Sequence, residues 1–182
     1  DLIWDSRLSE RSQVSSVIEK EILLQRAEDL YSSYYVSHGR HNIIGISEGM
    51  NQVRKIIDKV AGHDTSVLIT GESGTGKEKV AEALHASSSR AKKTLVNMNC
   101  ASIPEHLVES ELFGHRKGSF TGAVHDKKGK FILAHTGILF LDEIGHLPLA
   151  AQAKILRTIE TGEVEVVGGE KLENVDVRII AA

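Results

Sequence analysis

Cysteine is almost missing from this sequence. The single Cys100 excludes an intrachain disulfide framework and suits a reducing cytoplasm. No apolar run approaches the ~18 residues of a membrane-spanning helix, and the N-terminus lacks a signal-peptide pattern, so no membrane partner is expected. An excess of basic charge is missing too. The 22 Lys and Arg are outnumbered by 25 Asp and Glu, and a formal net charge of −3 gives no basic footprint for nucleic acid. Internal repeats, low-complexity tracts and zinc-ligand spacing are also absent, and the 9 histidines read as surface or cap residues. What is present is ordinary globular material, 41% hydrophobic and 26% charged, with 182 residues to build a core. The sequence opens without Met and stops inside a strand pattern, Arg178–Ala182, which reads as a fragment cut at both ends.

The organising stretch is Gly71-Glu72-Ser73-Gly74-Thr75-Gly76-Lys77-Glu78. An apolar run, Ser66–Thr70, enters it, and a helical pattern, Val80–His85, leaves it. Strand, glycine-rich turn and helix N-terminus in that order make an anion site. Backbone N–H groups turn inward, the helix dipole favours negative charge, and Lys77 adds a point charge for phosphates. Glu78 stands where the strict G-x-x-x-x-G-K-[ST] pattern places a hydroxyl for Mg2+.

Around that unit the periodicities predict alternating strands and helices. Ser16 and Glu19 form a capping-box signature for a helix over about 17–37, stopped by His38-Gly39. Its Leu23, Ala27, Leu30 and Tyr34 fit a short coiled-coil seam and an amphipathic helix equally well. Met50, Val53, Ile57 and Val60 predict a second helix closed by Gly62. A strand is expected over 94–98, and Ser102 with Glu105 reads as a capping box opening a helix to about Leu112. Residues 113–130, with four glycines, read as a long functional loop. A short helical pattern over 131–135 leads to Gly137–Glu143, a buried parallel strand ending in two carboxylates. Helix 148–161 is expected to use Leu149, Ala153, Leu156 and Ile159 as one side. A hairpin-like excursion and the strand Asp176–Ile180 follow.

Asp142 and Glu143 complete what the phosphate loop begins. One carboxylate can hold Mg2+ and the next can polarise an attacking water. A parallel βαβ sheet would bring Lys77 and Asp142 to one edge, and the pairing reads as nucleoside-triphosphate hydrolysis. Cys100, at a strand end, reads as a small buried side chain rather than a nucleophile.

The phosphate loop, Asn99-Cys100, Glu109–His115, Gly118-Ser119-Phe120-Thr121-Gly122-Ala123 and Phe140–Gly145 together resemble the AAA+ domain of bacterial sigma-54-dependent transcriptional activators, the enhancer-binding proteins of the nitrogen-regulator type. The resemblance runs from about Asn42 to Ala182, and the Glu78 variant of the phosphate loop is itself typical of that family. The implied fold is α/β: a three-layer αβα P-loop NTPase with a parallel central sheet, incomplete at its C-terminus. Residues 1–40 would be a linker or signalling helix and 41–182 the AAA+ core.

The implied cofactors are ATP and Mg2+. By position, residues 71–78 would hold the nucleotide phosphates, with Ile43, Ile44 and Gly45 near the adenine. Asp142 would coordinate the metal, Glu143 would activate water, and Asn99 would couple Glu143 to nucleotide state. Residues 118–123 would carry the ATPase stroke to the sigma-54 RNA polymerase closed complex. The implied assembly is a homo-oligomeric ring, a hexamer, in the cytoplasm, touching DNA only through a C-terminal domain outside this sequence.

Three positions depart from the family pattern: Ser119 for Ala in the loop, Val166 for an Arg, and Glu82 for an Arg. The polar sensor, arginine fingers and helical lid lie beyond Ala182, so residues 1–182 alone are expected to lack turnover. The alternative is a nucleotide-switched DNA-binding regulator that does not engage sigma-54, against which the Phe120-Thr121-Gly122 core of the loop argues.

Overall fold

A computed structural model describes residues 20–27, 43–45 and 47–182. The chain divides into two units, Asp1–Gly39 and Arg40–Ala182. In the first, residues 20–27 are helical (α1), and Ile22, Leu23 and Leu24 are exposed. The expected cap at Ser16, the stop at His38-Gly39 and the seam positions Leu30 and Tyr34 lie outside the described residues.

The second unit is built on a four-stranded parallel sheet. Its strands are β1 (Val67–Leu68), β2 (Leu95–Asn99), β5 (Ile138–Asp142) and β8 (Arg178–Ala181), in the order β1-β8-β5-β2. The carboxyl ends of all four therefore meet at one edge, as expected of the βαβ pattern, with β8 standing between the strands that lead to Lys77 and Asp142.

Two helical layers cover this sheet, and strand alternation assigns the side chains. Leu139, Leu141 and Ile179 pack with α4 (Glu105–Phe113), α5 (Lys130–Leu133) and α6 (Leu149–Thr161). Ile138, Phe140 and Ile180 pack with α2 (Glu48–Ala61) and α3 (Lys77–Ala86). Apolar residues facing both ways are what a sheet covered on both faces requires. The arrangement is the three-layer αβα architecture. Two antiparallel ribbons extend it: β3 (Gly114–His115) with β4 (Lys127–Lys128), and β6 (Glu163–Glu165) with β7 (Leu172–Asn174). Among the described residues no helix is long and apolar enough to cross a membrane.

Three local expectations need correction. The entering strand is only Val67–Leu68, although the Ile69 N–H still donates to the Ala181 carbonyl at 2.8 Å. Ser102 does not cap α4. Pro104 forces Ile103 into extended backbone (φ −107°, ψ 126°), so the helix starts behind Pro104 while the Ser102 hydroxyl donates to the Asn99 carbonyl. Most plainly, α6 buries Ala151, Ile155 and Thr158, and the expected stripe of Leu149, Leu156 and Ile159 faces outward.

One buried cation ties the layers together. Arg178, on β8, is 1% exposed and donates to the carbonyls of Ala61 (2.8 Å), Val60 (2.9 Å) and Thr65 (3.2 Å). Two of those belong to the last turn of α2, where Val60 also accepts from the His63 N–H at 3.1 Å, so a sheet residue completes the capping. Burial pushes the Arg178 pKa down, and the bonds must offset that desolvation. Arg178→Met, which keeps the bulk and removes the donors, is expected to cost about 1–3 kcal/mol by leaving the Ala61 carbonyl without its donor. Urea unfolding measures this; a loss below about 0.5 kcal/mol would show the cap to be dispensable.

Candidate nucleotide site and contact loop

The phosphate loop turns through glycine geometry. Gly74 (φ 80°) and Gly76 (φ 87°) lie in the left-handed region, and Gly76 is the N-cap of α3 with no side chain to occupy the first-turn N–H groups. Those amides at the helix N-terminus are the donors an anion would meet. The Lys77 ammonium folds over the loop, donating to the carbonyls of Gly71 (3.1 Å) and Glu72 (2.9 Å). The Thr75 hydroxyl donates to the Glu72 carbonyl at 2.8 Å, which pins the turn from the other side. Glu78 is an exposed acid in the first turn of α3.

Opposite the loop, Asn99 and Asp142 stand side by side in register at the ends of β2 and β5. The Asn99 amide donates to the Asp142 carboxylate at 3.4 Å, and its oxygen accepts from the Ser102 N–H at 3.1 Å. Glu143 is one of two non-glycine residues with positive φ among the described residues (φ 53°, ψ 44°). Holding a glutamate there costs on the order of 1 kcal/mol, and such strain clusters at working sites. The conformation breaks the strand and turns Glu143 away from the alternation; its carboxylate lies 3.7 Å from His146 Nδ1. β1 and β5 are two strand spacings apart, roughly 10 Å, a distance suited to phosphates held between Lys77 and Asp142.

Cys100 is buried next to these acids. Burial first, then Asp142 and Glu143, pushes its thiol up to about 11, which agrees with a packing role rather than a nucleophile. Among the described residues no group of three or more His, Cys, Asp or Glu gathers to hold a metal alone. Asp142 is a single hard carboxylate beside a carboxamide. That donor set fits Mg2+, which keeps waters and takes further oxygens from substrate phosphates.

Of the expected base segment, Ile43 and Ile44 line an open cavity of about 810 Å³ together with Gly71, Gly76 and Lys77. Ile43 is buried and Ile44 is 85% exposed. Met50, Val53, Val60, Val80 and Leu84 give the cavity its apolar wall.

Residues 113–130 are not one irregular loop. β3 and β4 form a ribbon whose tip carries residues 118–123. The tip closes on itself through Gly118 N–H to the Ala123 carbonyl (2.8 Å) and Ala123 N–H to the Phe120 carbonyl (3.0 Å). Asp126 anchors it by accepting from the Lys117 N–H and the Arg116 guanidinium, which together hold its carboxyl below the usual range. Thr121 and Gly122 are exposed, Ala123 is buried, and Phe120 is half-buried. The Phe120 ring meets the edge of the His115 ring, centroids 5.0 Å apart and planes at 70°, while His115 Nδ1 is 2.6 Å from the Ser110 hydroxyl of α4. Ser119 packs on Gly168: a Cβ at Gly168 would sit 2.5 Å from the Ser119 Cβ. The Ser119 hydroxyl is buried without a hydrogen-bond partner. Val166 is buried beside this turn.

The sigma-54 interaction domain family model matches residues 43–182. The chain belongs to this family. The anaerobic nitric oxide reductase transcription regulator NorR of Escherichia coli strain K12 is 55% identical over 140 residues, covering 77% of this chain and 28% of that protein. NorR of Salmonella paratyphi C is 49% identical over 165 residues, covering 91% and 32%. Among solved structures, NtrX from Brucella abortus in complex with ATP superposes with a TM-score of 0.71 at 42% identity, over 88% of this chain and 34% of that one. Its complex with ADP gives 0.70 at 41%, with the same coverage. The chain thus spans about a third or less of the length of these curated relatives. Membership makes it a P-loop domain of the AAA+ ATPase type.

Sequence reasoning missed Arg54, His115 and Gly168. Arg54 carries a signal: a charged residue four after Met50 and three before Ile57 falls on the apolar stripe of a helix. His115 and Gly168 matter through contacts across the chain, which no local spacing reveals.

Proposed function

We propose that this domain binds and hydrolyses ATP and uses residues 118–123 to remodel the sigma-54 RNA polymerase closed complex. The observation that carries the reading is the common carboxyl edge shared by the phosphate loop, Asn99, Asp142 and Glu143 in a member of this family. NtrX, solved with ATP and with ADP, supports nucleotide as the ligand.

In this reading the amides of Gly74–Lys77 and the Lys77 ammonium hold the phosphates, and Lys77 exchanges the carbonyls of Gly71 and Glu72 for phosphate oxygens. Asp142, held by Asn99, is the protein ligand for Mg2+, which when bound neutralises charge developing on the phosphates. Glu143 orients the attacking water and accepts its proton. From Glu143 the chain runs through α6 and β6 to the turn at Val167-Gly168, whose backbone bonds Gly114 and Arg116. The acid pair is therefore linked to the loop through α6, β6 and these two hydrogen bonds. Docked as here, Phe120 rests on His115, so sigma-54 contact requires its release. Partners are sigma-54 and further copies of the same chain, arranged as a ring in the cytoplasm.

Lys77→Ala is expected to weaken ATP affinity by at least about tenfold. Glu143→Ala is expected to retain affinity and to lower phosphate release by about 10²–10⁴-fold. Titration calorimetry and a phosphate assay on the complete protein separate them, and equal loss of affinity in both variants contradicts the division of roles. Phe120→Ala is expected to leave ATPase within about twofold and to abolish open-complex formation on a sigma-54 promoter. Survival of activation in this variant favours the switch regulator that bypasses sigma-54.

A further inference from the structure

The apolar face of α2 contains a guanidinium that is 6% exposed. Arg54 donates to three neutral oxygens: the Ile43 carbonyl at 3.2 Å, the Gly45 carbonyl at 2.6 Å and the Asn51 side chain at 2.7 Å. Burying a cation against neutral acceptors is expensive. The two backbone bonds place that cost on one short segment, residues 43–45, which stands ahead of α2 and whose Ile43 and Ile44 line the cavity over the phosphate loop. The Asn51 contact, three residues earlier on the same helix, fixes the rotamer of the guanidinium, so the clamp is aimed from a rigid element.

The consequence is visible in two adjacent residues. Ile43 is 8% exposed and joins the core formed by α2, α3 and the sheet, whereas Ile44 is 85% exposed at the cavity rim. Holding the carbonyls on either side of Ile44 fixes its backbone orientation, and the only side chain the clamp leaves outside the core is that of Ile44. A flat heterocycle entering above the apolar wall of Met50, Val53 and Val60 would meet it.

We propose that Arg54 is a positioning residue for the nucleotide base: it clamps residues 43–45 so that Ile44 forms the base-contacting wall, while taking no part in phosphate binding. The proposal rests on reading the cavity as a nucleotide site. It predicts that Arg54 tunes affinity for the base-bearing ligand and leaves affinity for the phosphate chain alone.

The test is calorimetric titration of the complete protein with ATP and, separately, with inorganic tripolyphosphate, in the wild type, Arg54→Met and Arg54→Lys. Arg54→Met is expected to weaken ATP by about tenfold and to leave tripolyphosphate within about twofold. Arg54→Lys should fall between, because one ammonium cannot satisfy three separated oxygens as a planar fork does. Equal weakening of both ligands would show a general structural role and overturn the proposal, as would unchanged ATP affinity. If Arg54→Met fails to fold, Arg54→Lys decides by the same comparison. A wild type that binds both ligands equally well would remove the base wall and leave the phosphate-loop reading standing. A wild type that binds neither would overturn the nucleotide reading itself.

Discussion

β5 is hydrogen-bonded on both sides, to β2 and β8, and is packed on both faces, with Leu139 and Leu141 toward α4–α6 and Ile138 and Phe140 toward α2 and α3. Each of those side chains contributes about 1.5–3 kcal/mol by its burial. With both faces and both edges spoken for, the only free part of the strand is its carboxyl end. The two acids can therefore stand nowhere else. Because the sheet is parallel, the same constraint brings Asn99 and the phosphate loop to that edge. The strained αL conformation of Glu143 is affordable only because the strand beneath it is held on every side.

The contact loop depends on that frame at one remove. Its ribbon starts from α4, which is seated on Leu139 and Leu141, and its tip rests on the turn that follows β6. The seat is imperfect. Phe120 is half-buried on His115, and the Ser119 hydroxyl is enclosed without a partner. An unsatisfied buried hydroxyl costs about 1–3 kcal/mol, which undocking would relieve. The tip is therefore ordered but not fully satisfied.

Local chemistry made part of this legible in sequence. The helix leaving the phosphate loop, the buried strand reaching Asp142 and the hairpin-like excursion that opens at Glu163 follow from glycine positions and apolar runs. The orientation of α6 did not. That helix is apolar on two stripes, one of leucines and isoleucine and one of Ala151, Ile155 and Thr158, and spacing cannot choose between them. The sheet takes the stripe of Ala151, Ile155 and Thr158 and leaves Leu149 and Leu156 outside. The Ser102 capping box failed because Pro104 restricts its neighbour, a two-residue effect that overrides the four-residue motif. The roles of Arg178 and, in large part, Arg54 were opaque for another reason. All the acceptors of Arg178 and two of the three of Arg54 are backbone carbonyls, and carbonyls carry no letter in a sequence.

The central claim is that one sheet edge holds the triphosphate between Lys77 and Asp142. A crystal structure of the complete protein with Mg2+ and a non-hydrolysable ATP analogue tests it most directly. The account predicts phosphates on the amides of Gly74–Lys77, the Lys77 ammonium moved from the Gly71 and Glu72 carbonyls to phosphate oxygens, and Asp142 at the metal. Nucleotide bound away from this edge, or bound here with Lys77 still on those two carbonyls, would contradict it.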